Sequence, residues 1–568
     1  MPIFVMRLIL VFLLVTPTFF SAQNQNNYPQ DYFGSPLEIP LILSGTFAEL
    51  RANHFHSGMD IKTQQRVGLK VLAAADGFVS RIKVQHYGYG KALYITHPNG
   101  YTTVYAHLSE YSPEIEAYVK KHQYDKESYE IELFPHTQDL IVEKGSVVAY
   151  SGNSGGSGGP HLHFEIRNKE EHPINPMLFG IDIKDTTRPL ISSIYVYPIG
   201  DSSTVNNANT RQKLRLTPQN NGDYITESIE AYGTIGFGVN TTDRQDLAGN
   251  RNGVYSIQAF LNGSQNLDID FSKFSFDETI QLNRFIDYEH YKTKGERIQK
   301  LYNDNNGLSI FKSDVNNGYL TIEDSISTVY KIRVSDFKRN DAWITIPIKG
   351  VKPKNEFVKN ETTTPYYIYA NSATNLKEGR VSVDFASNTF YDDFHIDFKV
   401  KNDTLFLGED TVPMKKYFSI SYDISNYSEA DRNKLYIARL VGYRKYPSYE
   451  GATRKGNILS CSTRGLGTFA LARDETKPTI TPVNFRKDQW LSNYRYLKIK
   501  IDDSGSGISN YRATVNDKWI LTEYDYKTKT LTYDFNDGVS TNTKNNLKVI
   551  VTDNVGNSTT FESVFYRK

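Results

Sequence analysis

Residues 160–166 read Pro-His-Leu-His-Phe-Glu-Ile and follow the glycine-rich run that starts at Gly152. Side chains alternate between the two faces of a strand. Leu162, Phe164 and Ile166 therefore belong to a core, and His161 and His163 point together from the opposite face. No other stretch constrains the fold as much: a sheet has to cover one side of this strand and leave two imidazoles on the other. Glycines 152, 155, 156, 158 and 159 permit tight turns and close backbone approach. Pro160 fixes the way into the strand. Two readings stand for that loop: the wall of a narrow groove for an extended peptide, or an exposed hairpin turn.

Ten of the twelve histidines fall between His54 and His172, so chemistry is expected in the N-terminal part. The stretch Asn53-His-Phe-His-Ser-Gly-Met-Asp holds His56 and Asp60 four residues apart. On a helix that spacing shares a face. In a full strand the two Cα atoms would lie about 13 Å apart, so a bend at Ser57-Gly58 is needed to join them. In the third stretch, Val104, Ala106 and Leu108 alternate with Thr103, Tyr105 and His107, which puts His107 on the face away from the apolar stripe. Each feature alone is ordinary: a chance His-x-His, a surface His–Asp pair, a half-exposed strand histidine. Together, two neutral imidazoles and one carboxylate form a catalytic zinc set with an open fourth position. Such an ion makes hydroxide available near neutral pH, and further histidines beside it serve as base, acid or oxyanion donor.

The order of these three segments, ending in Val147-Val-Ala-Tyr-Ser-Gly-Asn and the His-x-His strand, resembles the lysostaphin-like (β-lytic) zinc metallopeptidases over roughly residues 44–179. The resemblance implies one Zn2+ held by His56, Asp60 and His163, with His107 and His161 flanking the water and the scissile carbonyl. His161, beside ligand His163, is the expected general base. His107 is the expected oxyanion partner, and the two can exchange roles. The resemblance also implies a small antiparallel β-domain with a metal at the floor of a groove. It implies cleavage of peptide cross-links in bacterial peptidoglycan, the D-alanyl–diaminopimelate bond if the producer is Gram-negative. The segment after Ala106-His-Leu is longer than in many members of the family. Ser112-Pro113-Glu114 starts a helix there, with Ile115, Tyr118 and Val119 on one face. The insert over 112–136 lines the groove, caps it or packs on the surface. His54 is expected beside the ligands and His97 beside the turn Pro98-Asn99-Gly100.

Beyond this region the chain reads as strands. With 40 tyrosines and 31 phenylalanines among 568 residues and recurrent glycine turns, the fold class is all-β. The expected organisation is a signal peptide (1–22), a zinc metallopeptidase domain (23–184) and a β-sandwich with an insertion (185–350). A β-rich domain (351–473) and a second β-sandwich (474–568) follow. The two sandwiches read as copies of one module. Asp185-Thr-Thr-Arg-Pro matches Asp474-Glu-Thr-Lys-Pro, and each copy then has an acidic glycine turn and a closing strand with Val-x-Asp. They resemble bacterial immunoglobulin-like modules.

Arg7, the apolar run Leu8–Val15 and the small residues Ser21-Ala22 read as a secretory signal, with an uncleaved anchor as the alternative. No later segment is apolar enough to span a bilayer. The protein is thus expected to be exported, to the periplasm, the envelope or the exterior. Sixty-five basic against sixty-four acidic residues argue against a nucleic-acid partner. Cys461 is the only cysteine, so no intramolecular disulfide forms. The expected partners are a peptidoglycan peptide as substrate and a cell-envelope component for the C-terminal β-domains. Two readings of other classes stand beside the hydrolase: a non-catalytic wall-binding regulator of the same fold that activates other wall hydrolases, and an adhesin or scaffold. A general protease of secreted proteins is the other enzyme reading.

Overall fold

The computed structural model describes residues 28–354 and 363–568. The expected signal peptide lies outside the described residues. The chain is built almost wholly of β-strands.

The N-terminal unit is organised by β1 (Leu43–Gly45), β2 (Met59–Lys62), β3 (Gly77–Val84), β4 (Lys91–Thr96), β5 (Thr102–Ala106), α1 (Pro113–Lys126), β6 (Ile131–Leu133) and β7 (His161–Arg167). The strands lie in the order β1-β2-β7-β5-β4-β3-β6. The His-x-His strand is therefore central, antiparallel to both β2 and β5. Strands that alternate apolar residues bury one face. Leu93, Ile95, Tyr105, Leu162, Phe164 and Ile166 all enter the main core. On the opposite face Ala92, Tyr94, Val104 and Ala106 form a small apolar cluster.

Three further units follow. One large twelve-stranded sheet occupies residues 190–350. Two five-stranded sheets and a two-stranded one occupy 366–473, and a four-stranded and a five-stranded sheet occupy 479–566. Each unit has its own buried cluster.

Two of these cores borrow residues across unit boundaries. Phe47, Ala48 and Phe55, from the hairpin before β2, are buried in the core of the second unit. Trp519 and Leu521, from the last unit, are buried in the core of the first. The last unit thus folds back onto the N-terminal one. The insert helix α1 is a main contact. Its Ser112 N-cap and Pro113 start it as expected, and Ile115 and Val119 face the first core. Its other side meets the last unit. Lys120 Nζ lies 2.7 Å from Asp537 Oδ1, and Tyr124 Oη donates to Asp537 Oδ2 at 2.8 Å. The Tyr124 ring packs edge-on against Trp519 at 5.3 Å. Arg512 pairs with Glu127 at 2.6 Å. No residue of 112–136 lines the cavity beside His161, and the insert brackets the two units. Among the described residues no helix is long and apolar enough to cross a membrane.

Trp519→Ala removes the largest apolar side chain at this joint and should weaken docking by about 3 kcal/mol. Hydrogen exchange of α1 amides is expected to accelerate and the linker over 473–479 to become cleavable by protease. Unchanged exchange in α1 would show that the fold-back does not depend on this contact.

Candidate metal centre

The site is assembled by strand register. In antiparallel pairs, directly opposed residues share a face. His163 of β7 is opposed to Asp60 of β2 and to Ala106 of β5, so imidazole and carboxylate leave the sheet side by side. His56 lies just before β2, beyond a bend at Ser57-Gly58. The bend brings His56 Nε2 to 3.0 Å from Asp60 Oδ1. Gly58 is needed there for space: a Cβ would sit 2.4 Å from the Phe164 carbonyl oxygen and 3.0 Å from His163 Nε2.

His56, Asp60 and His163 are all buried and form a single group able to hold a metal. His163 Nδ1 lies 2.9 Å from Asp60 Oδ1 and 3.1 Å from His56 Nε2. The outer partners fix which ring nitrogen faces inward. His56 donates Nδ1–H to the Thr46 carbonyl at 2.7 Å. His163 gives Nε2–H to Glu165 Oε1 at 2.7 Å. Both rings therefore present a lone pair to the same point, next to a carboxylate oxygen. Three such acceptors crowded together repel one another unless a cation joins them. Two imidazoles and a carboxylate are a donor set that suits Zn2+. The residues present thus fit the ion.

Electrostatics support the ligand state of the carboxylate. Burial acts to raise Asp60, but His56 and then His161 and His163 beside it outweigh that and hold the carboxyl well below its usual range. Arg51 Nη2 lies 2.9 Å from Asp60 Oδ2 on the far side. Burial acts to lower His163, but its contacts with Asp60 and Glu165 raise it to about 9, so an ion taking Nδ1 has to displace a proton there.

His107 and His161 face the same space, with ring centroids 4.7 Å apart. His161 donates Nδ1–H to the Gly159 carbonyl at 2.9 Å, and its Nε2 lies 3.3 Å from Asp60 Oδ1. His107 donates Nδ1–H to the Ser154 carbonyl at 2.9 Å. Burial, then His163 and His161, lower His107 to about 3, so it is neutral at neutral pH.

The route by which His107 arrives differs from the expectation. Its strand neighbours Val104 and Ala106 lie on the site face, and Tyr105 points into the main core. Simple alternation would send His107 into the core with Tyr105. Instead β5 ends at Ala106, and His107 takes a left-handed conformation, φ 59°, that returns its ring to the site.

The glycine loop divides in two. Gly155, at φ 69°, sits where a Cβ would be 2.3 Å from the Gly90 amide nitrogen, so its role is close backbone packing. Gly158 and Gly159, where a Cβ would meet open space, line a cavity of about 690 Å³ with Ile39, Pro40, Ile42, Asp60 and His161. From the last unit, Lys527 Nζ contacts the loop carbonyls of Asn153 and, at 3.3 Å, Ser157.

Four residues of the site were not anticipated: Glu165, Arg167, Tyr89 and Arg51. Glu165 is fully buried beneath His163 and accepts from Ser57 Oγ at 2.6 Å, from Tyr89 Oη and from Arg167 Nε at 2.6 Å. Burial alone would raise its carboxyl; Arg167 and His163 outweigh that and keep it strongly depressed. Its signal was present in the strand pattern, since residue 165 continues the His161, His163 alternation. His54 makes no hydrogen bond to the ligands, though burial and then His56 beside it lower its imidazole; its Nδ1 meets Asn53 Oδ1 at 2.8 Å. His97 is a satisfied core histidine, bonded to the Asp76 carbonyl and Thr103 Oγ1, both at 2.8 Å.

Comparison with known proteins now bears on this geometry. Residues 54–124 and 134–176 match the model of Peptidase family M23, and residues 365–474 match that of a Zu5-like domain. DD-carboxypeptidase/endopeptidase Mpg of Neisseria meningitidis serogroup B is 33% identical over 133 residues, which is 23% of this chain and 24% of that one. An uncharacterized metalloprotease of Haemophilus influenzae is 35% identical over 127 residues, 22% of each chain. The match thus spans about a quarter of the length of these curated relatives. Among solved structures, the catalytic domain of lysostaphin from Staphylococcus simulans aligns at 22% identity and a TM-score of 0.17, covering 28% of this chain and 95% of that one. The stretch of this chain that carries all five candidate residues, 54–124 and 134–176, is thus the part similar to Peptidase family M23.

Proposed function

We propose that the N-terminal domain is an exported zinc metalloendopeptidase that hydrolyses peptide cross-links of bacterial peptidoglycan, with D-alanyl–diaminopimelate bonds as its substrate in a Gram-negative envelope. The observation that supports this most is the convergence of His56 Nε2, Asp60 Oδ1 and His163 Nδ1, each turned inward by its own outer contact, beside two further histidines.

His56, Asp60 and His163 would hold one zinc ion. When bound, that ion supplies a Lewis acid that polarises a carbonyl and makes water nucleophilic at neutral pH. The chain's own residues do the rest. A peptide lies in the cavity along Ile39, Pro40 and Ile42, where Gly158 and Gly159 leave room for its backbone. His161, its Nδ1–H spent on the Gly159 carbonyl, takes the proton of the attacking water at Nε2 and passes it to the leaving amine. His107 is oriented in the same way by Ser154, so its Nε2 is an acceptor first. It donates to an oxyanion only if it, in place of His161, takes the proton of the attacking water, and the two rings then exchange roles; burial makes that charged form costly for His107. The retention of a complete, inward-turned set disfavours the reading as a non-catalytic wall-binding regulator. The β-units after residue 185 position the enzyme on an envelope partner.

His163→Ala is expected to abolish zinc binding and hydrolysis together. His161→Ala should keep zinc and lose about 10²–10⁴-fold in turnover, measured by mass analysis of muropeptides released from purified sacculi. Parental turnover in His161→Ala would remove it from the base role. Glu165→Gln, which replaces the buried acceptor of His163 by a neutral one, should weaken zinc affinity about 10–100-fold in competition titrations with a chromophoric chelator. An unchanged affinity would show that Glu165 serves only the fold.

A further inference from the structure

Two other groups of acidic side chains converge in the chain, far from the histidines in sequence. Asp185, Asp243 and Asp336 bring one carboxylate oxygen each within 4.8 Å of one another, and so do Asp474, Asp503 and Asp553. Each group joins the three segments that mark the internal repeat: the Pro-led start, the acidic glycine turn and the Val-x-Asp of the closing strand.

The two groups share a framework of four hydrogen bonds, and the second adds bonds from the Gly505 and Gly507 amides to Asp503 and from the Ser506 amide to Asp474. In the first, Asn340 donates its amide N–H to Asp336 Oδ1 at 2.9 Å and its side-chain amide to Asp336 Oδ2 at 2.7 Å and to the Asp185 carbonyl at 3.2 Å. In the second, Asn557 makes the same three bonds to Asp553 and Asp474, at 2.8, 2.7 and 3.0 Å. Thr187 N and Thr476 N donate to Asp185 Oδ1 and Asp474 Oδ1 at 3.0 and 2.9 Å. Two units of such different length retain one scaffold for holding three carboxylates together.

The carboxylates are not satisfied by that scaffold. Asp243 and Asp336 are each 3% exposed, and Asp243 Oδ1 is buried without a hydrogen-bond partner. In the second group the half-buried Asp503 also leaves its buried Oδ1 without a partner, while its Oδ2 accepts from the Gly505 and Gly507 amides. A buried acceptor left unpaired costs free energy, and neighbouring carboxylates add repulsion. Burial first, then Asp185 and Asp336, push the Asp243 carboxyl up to about 8. Asp185, Asp243 and Asp336 all line one small cavity of about 20 Å³, room for a single ion.

We propose that Asp185, Asp243 and Asp336 hold one calcium ion, and that Asp474, Asp503 and Asp553 hold a second. An all-oxygen donor set selects a hard cation. Three carboxylates from three separate segments suit the larger, geometrically tolerant Ca2+; Mg2+ demands near-octahedral geometry and keeps most of its waters. The placement gives the ions a structural task. Asp185 lies where the chain leaves the N-terminal unit, and the loop after Asp243 grips Thr46, whose Oγ1 bonds Gly253 N at 3.0 Å. That same Thr46 orients His56 through its carbonyl. Asp474 lies where the chain leaves the third unit, with its amide bonded to the Lys434 carbonyl at 2.9 Å. Each ion would clamp a β-unit to the one before it.

The test uses the full chain, stripped with a chelator, resupplied with zinc and dialysed against about 1 mM CaCl2 or MgCl2, the range of extracellular calcium modules. Elemental analysis is expected to find two calcium ions per chain, and the melting temperature to rise by several degrees with calcium and not with magnesium. Asp243→Asn with Asp336→Asn should leave one ion, and adding Asp503→Asn and Asp553→Asn should leave none. Asp336→Asn and Asp553→Asn also turn an acceptor of Asn340 or Asn557 into a donor, so the readout is each variant's melting shift between calcium and no calcium, which should disappear in the fourfold variant. If a variant fails to fold, the calcium count and melting shift of the parent chain decide. No bound calcium, an equal shift with magnesium, or a count unmoved by the four substitutions would overturn the assignment; the carboxylates would then be sharing protons.

Discussion

Everything in the N-terminal unit depends on the antiparallel register between β2 and β7. It sets Asp60 opposite His163 and leaves both on the face that the main core does not use. A one-residue slip would send both side chains into the apolar layer. The apolar residues between them, Ile61, Leu162 and Phe164, are fully buried and forbid that slip. Packing on one side of the sheet therefore fixes the chemistry on the other.

The second constraint is how each inward nitrogen is chosen. All four imidazoles give one N–H to a fixed oxygen: Thr46, Ser154 and Gly159 carbonyls and the Glu165 carboxylate. Three of these are backbone atoms, so the loops that carry them have to be rigid. Two of the loops are held from outside the domain. Phe47 and Phe55 anchor the Thr46–His56 hairpin in the core of the second unit, and Lys527 of the last unit rests on the glycine loop next to Ser154. The later β-units are thus part of the scaffold of the site as well as its continuation.

The β class of the fold was legible in local periodicity such as the alternation in 160–166, whereas His56, Asp60 and His163 were legible as a set only through the order of motifs shared with the lysostaphin-like family, since each spacing alone read as an ordinary pair. Glu165 was legible in principle by the same alternation, yet a glutamate in a strand carries no mark of its burial until Arg167, Tyr89 and Ser57 are seen around it. The alternation that grouped His107 with Thr103 and Tyr105 against an apolar stripe does not hold: Tyr105 enters the core, Val104 and Ala106 face the site, and one left-handed residue at the strand end turns the His107 ring back to it, which no local composition announces. The bracket formed by α1 was not legible, because Asp537 and Trp519 lie some four hundred residues away. The repeat was visible as words; that its aspartates meet required the fold.

The most direct test of the central claim is anomalous diffraction at the zinc edge from crystals of the full chain grown with zinc. The account predicts one peak in the N-terminal unit, about 2.0–2.2 Å from His56 Nε2, Asp60 Oδ1 and His163 Nδ1. A map without that peak, or with the three side chains turned away from a common point, would contradict it.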